Sequence, residues 1–316
     1  MHPYLKTTLR YVGQICIVLL GISLLTYALI TLAPGDTAKL LLVGNEDRVV
    51  SAAEIEAVRH EMGLDQPFFV QYGHWLWKAL HGDLGYSFTS RIPVITSIIN
   101  HLWATISLGL MSFILMLLIS LPMGVYSAVK RNTRFDYFTR VSTFIGVSMP
   151  GFWVGLILFW IIGLKLRLLP IINSGVTIQG IILPAITLAI AMSSKYTRQV
   201  RATVLEELNK DYVVGARTRG MSENYILWKE VLPNAMLPLI TLMGISLGNL
   251  LGGAAVVEIV FGWPGLGRLA VEAITYRDFF LVQGIVLWIA LIYMAINILV
   301  DISYYLFDPR LRKEKR

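Results

Sequence analysis

The chain has 316 residues, 56% of them apolar and 15% charged, with a mean hydropathy of +0.66. Set against the roughly 25% charged residues of soluble domains, that composition excludes a soluble globular enzyme, and a single cysteine, Cys16, excludes a disulfide scaffold. The net charge of +7 would suit nucleic acid, but in so apolar a chain the placement of charge decides its meaning.

Six runs are free of charge: Val12–Ala33, Leu102–Val129, Val141–Leu164, Leu168–Ser194, Val231–Val257 and Phe279–Val300. Each has 22 to 28 residues, enough to cross a hydrocarbon core as a helix. The chain therefore reads as an all-α integral membrane protein with six transmembrane helices. The first run follows Lys6 and Arg10 like a signal peptide but is too long to be a cleaved one. With both termini on one side, that side collects 18 of the 27 Lys and Arg, a balance of +9 against −2 opposite. Basic loops stay inside, so both termini are expected in the cytoplasm and nucleic acid is not needed as a partner.

Four parts follow: an N-terminal transmembrane helix (1–33), an outer segment with short amphipathic helices (34–94), a five-helix core (95–305) and a basic tail (306–316). The outer segment opens on a Pro34-Gly35-Asp36 turn. Ser51 and Glu54 have capping-box spacing and predict a helix over Ser51–His60. The aromatic-rich Gln66–Leu80 suits either an interfacial helix or a packing face. Of the five histidines, His60, His74, His81 and His101 lie on this side, but their spacing matches no compact ligand motif, and hydrogen-bonded interface residues are the default over a metal station. The thioethers of Met111, Met116, Met123 and Met149 read as helix filler rather than ligands, with Met149 kept as a pathway candidate.

Between the fourth and fifth runs, Lys195, Arg198 and Arg201 share one helical face beyond the membrane, where they read as positive-inside anchors. The stretch 205–233 reads as two short helices hinged at Gly220-Met221-Ser222, with Ser222 as an N-cap and Pro233 closing the segment. Such a helix pair suits a plug for a partner. The fifth run holds Pro233, Pro238 and a Gly248-x-x-x-Gly252 packing pattern, and Gly252-Gly253 is the preferred point of close approach to a central pathway. Pro150-Gly151 and Pro184 interrupt the third and fourth spans. Glu258 just after span five faces substrate or pairs with Arg268, the pair being preferred; Asp301 ends span six as a cap or anchor. No phosphate loop, dinucleotide fingerprint or catalytic constellation occurs.

Tyr212–Pro233 resembles the coupling-loop motif of binding-protein-dependent ABC importer permeases: Gly215-Ala216-Arg217 stands for its small-residue run, Gly220 for its glycine and Leu232-Pro233 for its closing pair. Gly215 and Arg217 depart from the general acidic and alanine positions, and Ala216-Arg217-Thr218-Arg219-Gly220 resembles instead the form favoured by the peptide and nickel branch. Thr8-Leu-Arg-Tyr-Val12, Ala33-Pro-Gly-Asp36, Met62-Gly-Leu-Asp-Gln-Pro67, Gly82-Asp-Leu-Gly-Tyr-Ser87, Val147-Ser-Met-Pro150, Phe261-Gly-Trp-Pro-Gly-Leu-Gly-Arg268 and Asp308-Pro-Arg310 are similar to the same dipeptide/oligopeptide/nickel family. Residues 71–81 and 146–153 look most like the first permease subunit of nickel importers.

The resemblance implies a type I ABC importer permease fold and a non-catalytic subunit that binds no cofactor. It implies ATP and Mg on two partner ATPase subunits, a second permease, an extracytoplasmic binding protein and surrounding membrane lipid. Asp211, Tyr212, Gly215, Ala216, Arg217, Gly220, Leu232 and Pro233 would engage the ATPase, and Gly252, Gly253, Glu258 and Met149 would be candidates for the pathway. The expected cargo is nickel or a metal chelate, with di- or oligopeptides as the alternative. A secondary transporter or membrane enzyme is the rival class, but neither inverted repeats nor intramembrane catalytic groups support it.

Overall fold

Proline, caps and glycine decide where the apolar runs become helices. The computed structural model describes residues 3–32, 38–39, 42, 50–61, 63–170 and 175–307. Among them every regular element is helical, beside one isolated extended pairing between Tyr86 and Pro93. Five helices are long and apolar enough to cross a membrane, or up to six if one sharply bent pair counts as a single span. The proposed Pro34 turn and most of the basic tail lie outside the described residues.

The elements are α1 (Pro3–Leu32), α2 (Ala52–Glu61), α3 (Phe68–Leu80), α4 (Val94–Val129), α5 (Arg134–Ser148) and α6 (Gly151–Leu158), the last continuing as a wide turn over Phe159–Lys165. Then come α7 (Ile178–Leu208), α8 (Asp211–Thr218), α9 (Glu223–Tyr225) with a second wide turn over Ile226–Val231, α10 (Leu232–Val260), α11 (Leu266–Thr275) and α12 (Phe279–Phe307). The capping box before α2 forms: Glu54 accepts from the Ser51 amide at 2.9 Å while Ser51 Oγ accepts from the Glu54 amide at 3.3 Å.

The expected interruption of the third run at Pro150-Gly151 is present, and two expectations for the fourth run need correction. Met149 is extended (φ −92°, ψ 133°) because the proline ring that follows disfavours helical backbone there, and α5 and the helix after Pro150 meet at 101°. The fourth run begins as a helix only at Ile178, where Thr177 Oγ1 accepts from the Gly180 amide at 3.1 Å. Pro184 does not interrupt α7, which runs through it; the carbonyl its ring opposes belongs to Gly180, in the first turn of the helix.

The described chain divides into two compact units, 1–103 with 265–294 and 104–264 with 295–316. In the first, Trp75, Leu84, Val94, Ile98, Leu266 and Ile285 form the core. Tyr27 of α1 packs edge-on against Tyr72 and Phe68 of α3, so Gln66–Leu80 is a packing face on that side, while Phe69 and Trp77 are exposed on the other. Asp278, fully buried, begins α12 by accepting from the Leu281 amide, and it also accepts from the Ser87 hydroxyl and the Thr89 amide at 2.5 and 3.1 Å. The 82–87 motif is thus tied to the start of α12.

In the second unit, one cluster surrounds Trp263, whose indole N–H donates to the Ala104 carbonyl at 2.9 Å. A second surrounds Tyr196, Val200, Val204 and Val213. A Cβ on Gly124 would lie 2.7 Å from Val200 Cβ and 2.9 Å from the Thr197 carbonyl oxygen, so only glycine lets α4 and α7 approach this closely. That contact holds α7 in place where it emerges toward residues 205–233.

Candidate functional site

With 31 residues, α7 is about 46 Å long against a hydrocarbon core of about 30 Å, so its last turns stand clear of the membrane. The chain reverses at Asn209-Lys210 into α8. Val213 and Ala216 point inward, 0% and 1% exposed, and pack with Ile226, Val231 and Tyr196. Val214, Arg217 and Thr218 lie on the exposed side. The first half of the expected helix pair is therefore a short amphipathic helix glued to the membrane unit by one face and open on the other.

Buried Glu207 fixes the start of α8, accepting from Lys210 Nζ at 2.5 Å and from the Tyr212 hydroxyl at 2.9 Å. Burial, and then the bond to Glu207, push the Tyr212 hydroxyl up to about 12, so it remains a donor at neutral pH. The hydrogen bond to Glu207 likewise raises Lys210.

The end of α8 carries the hinge. Gly220 has φ +77°, its amide donates to the Arg217 carbonyl at 2.9 Å, and the next amide, Met221, reaches back to Ala216 at 3.2 Å. This pair of reversed bonds is a Schellman cap, which needs left-handed backbone at its glycine. Arg217 then closes the turn with a two-pronged pair to Glu223 at 2.7 and 3.1 Å, and the pairing raises the Arg217 pKa. Ser222 caps the second helix from the Tyr225 amide at 3.4 Å. Leu232 and Pro233 stand in the first turn of α10, where the missing proline N–H costs nothing. Because the Arg217–Glu223 pair is largely exposed, Arg217→Ala should lower stability by less than about 1 kcal/mol, measured as a small fall in thermal midpoint of the purified protein.

A second constellation lies beside this one. Asp136, fully buried in the first turn of α5, receives Arg201 Nε and Nη2 at 2.6 and 2.9 Å, the Ser127 hydroxyl at 2.6 Å and the Asn132 amide at 3.0 Å. One carboxylate thereby clasps α4, α5 and α7 just before α7 enters the loop. Of the three cations on one face of α7, Arg201 turns inward to this clasp, while Lys195 and Arg198 stay exposed. Sequence reading missed Asp136, although an acid three residues after Thr133, in a stretch whose other charged residues are all Lys or Arg, marks both a helix start and a charge needing a partner. It missed Glu207 as well.

The remaining candidates are dispersed. Glu258 is fully buried and accepts from Thr105 Oγ1 at 3.0 Å, and Arg268 receives support from Glu272 at 2.7 Å along its own helix. Met149 is half-buried at the α5–α6 break. Gly252 and Gly253 are inside α10, and their surroundings lie outside the described residues. His81 and His101 bond through Nδ1 to carbonyls one turn back, at 2.8 and 2.7 Å, His60 lies 3.9 Å from Asp65, and His74 is exposed. Among the described residues no three His, Cys, Asp or Glu side chains converge to hold a metal.

Two family models match the sequence: that of the binding-protein-dependent transport system inner membrane component over residues 120–313, and its N-terminal counterpart over residues 4–109. The dipeptide transport system permease protein DppB of Escherichia coli (strain K12) is 34% identical over 341 residues, covering 98% of this chain and all of that protein. The glutathione transport system permease protein GsiC of Escherichia coli O6:H1 is 36% identical over 291 residues, 92% of this chain and 94% of that one. An inward-facing structure of the MetNI methionine ABC transporter aligns with a TM-score of 0.56 at 20% identity, over 67% of this chain and 96% of its own, which extends the likeness to the fold. With a family match over most of its length and full-length relatives above 30% identity, the chain belongs to the binding-protein-dependent transport system inner membrane components, the permeases of ABC importers.

Proposed function

We propose that this permease carries di- or oligopeptides across the bacterial inner membrane, handed over by an extracytoplasmic binding protein. The observation that carries this reading is the end-to-end similarity to relatives named for dipeptide and glutathione transport, since glutathione is itself a tripeptide. Nickel, which residues 71–81 and 146–153 suggested, gives way to peptides: neither relative's name mentions a metal.

In this reading six spans place both termini in the cytoplasm, with the bent α5–α6 pair as one of them. Residues 1–33 form the accessory first helix, 34–94 the outer segment and 95–305 the transport core. A second permease lines the pathway with this one, and two ATPase subunits holding ATP and Mg drive it. The exposed side of α8 supplies their docking face, with Asp211, Gly215 and Arg217 toward the ATPase and Tyr212, Ala216, Gly220, Leu232 and Pro233 shaping the loop. Because α8 is held to α7 and α10 by an apolar cluster, a push on it moves both helices together. Gly252, Gly253, Glu258 and Met149 remain pathway candidates.

The test is calorimetric titration of the cognate binding protein with dipeptides, with glutathione and with Ni²⁺. Tight dipeptide or glutathione binding is expected. Binding of Ni²⁺ or a nickel chelate with no response to peptides would restore the metal reading.

A further inference from the structure

A groove of about 450 Å³ opens between α5 and α7 at the end of the spans that carries the basic loops. Its α5 wall carries Tyr137, Val141 and Phe144, all largely exposed, Phe144 at 72%, with Arg140 on the same face. Its α7 wall holds Arg198 and Arg201. A second, polar recess of about 420 Å³ shares Arg140 and Arg201 with it and adds Arg131, Asn132 and Asn209, with Glu206 as its one acid. Along α5 from Phe144 back toward the loop, apolar Phe144 and Val141 give way to Arg140, which borders the polar recess.

The cations are not equivalent. Arg201 is committed to Asp136. Arg140 lies over the Tyr137 ring at 5.3 Å, and neither it nor Arg198 has a carboxylate partner among the described residues. Between them Thr139 lines the groove with its hydroxyl buried and without a hydrogen-bond partner. A buried hydroxyl with nothing to bond costs free energy, so the groove holds an unmet donor beside two exposed guanidinium groups, and an acceptor carrying negative charge would serve all three.

We propose that this groove binds an anionic phospholipid, its phosphate received by Arg140 and Arg198 with a hydrogen bond from Thr139, and its acyl chains lying over Val141 and Phe144. Unlike a protein surface, which would have to bring carboxylates to two cations and apolar side chains beside them, a phospholipid supplies both chemistries in the order in which the groove presents them. The site borders the Asp136 clasp, so an occupied groove braces α5 against α7 where α7 leaves the membrane. The proposal needs only that the chain is embedded in a bilayer, and it stands apart from the choice of cargo.

The full-length chain in its assembled complex, reconstituted in nanodiscs of phosphatidylcholine with a minor fraction of phosphatidylglycerol, is examined by native mass spectrometry for retained lipid. Phosphatidylglycerol is expected to remain bound in preference to phosphatidylcholine. In Arg140→Gln/Arg198→Gln that preference should fall at least about tenfold, as expected for losing two interfacial cations. Thr139→Val, which keeps the side-chain shape, should also weaken it. Should the double variant fail to assemble, the wild-type preference and Thr139→Val decide. Equal retention of the two lipids, unchanged preference in the variants, or cross-linking of Phe144→Cys to a second permease chain across the groove would each overturn the proposal.

Discussion

Gly220→Pro is expected to abolish uptake while the chain stays in the membrane at its normal level. Proline holds φ near about −65°, against the +77° seen at this position, and it removes the amide that donates to Arg217. Both bonds of the cap are lost together, so Met221 is no longer directed into the apolar cluster and α9 leaves α8 at a different angle. Gly220→Asp should act in the same direction more gently, since a side chain in left-handed backbone costs about 1–2 kcal/mol. Space is not the obstacle, because a Cβ at Gly220 would meet nothing within 4 Å. The defect should therefore appear in uptake and in substrate-stimulated ATP hydrolysis, not in membrane abundance. Normal uptake by Gly220→Pro would show that the cap has no part in coupling.

Arg201→Ala is the second large effect, and it falls on stability. Removing the guanidinium leaves the Asp136 carboxylate at 0% side-chain exposure with only Ser127 and the Asn132 amide as donors. Breaking one half of a buried ion pair costs about 3–5 kcal/mol. Asp136→Ala should cost less than Arg201→Ala, since the stranded Arg201 retains 21% exposure and can turn to water. Joint replacement by Arg201→Met and Asp136→Leu should recover part of the loss, because neither charge is then left unpaired. The check is the thermal midpoint and monodisperse yield of the detergent-extracted protein for the wild type and the three variants. Equal behaviour of Arg201→Ala and the joint replacement would refute the clasp.

Much of this architecture was legible from the residues, for specific reasons. Apolar runs located the membrane helices, and Ser51, Ser222 and Gly220 marked helix ends through side-chain and backbone chemistry that acts within a few residues. The 101° break at Pro150 was signalled by the proline, but its size was not, because the angle is set by what α5 and α6 pack against. The late start of α7 shows the limit of counting apolar residues: 168–177 is as uncharged as the first half of the helix that follows, and Pro170, Gly175 and the Thr177 cap mark the boundary that the count passes over. Arg201 looked like a surface anchor because its partner is 65 residues away in sequence. The same distance hid the clasp and the groove beside it. Gly124 drew no notice, since close approach to Val200 is a property of two helices and of neither alone.

The most direct test of the account is uptake by the complete complex in proteoliposomes, with the binding protein and labelled dipeptide outside and ATP with Mg sealed inside. Dipeptide accumulation is expected that requires internal ATP and the ATPase chains and that disappears in Gly220→Pro. Accumulation without the ATPase chains, or ATP-driven accumulation of Ni²⁺ with none of dipeptide, would contradict it.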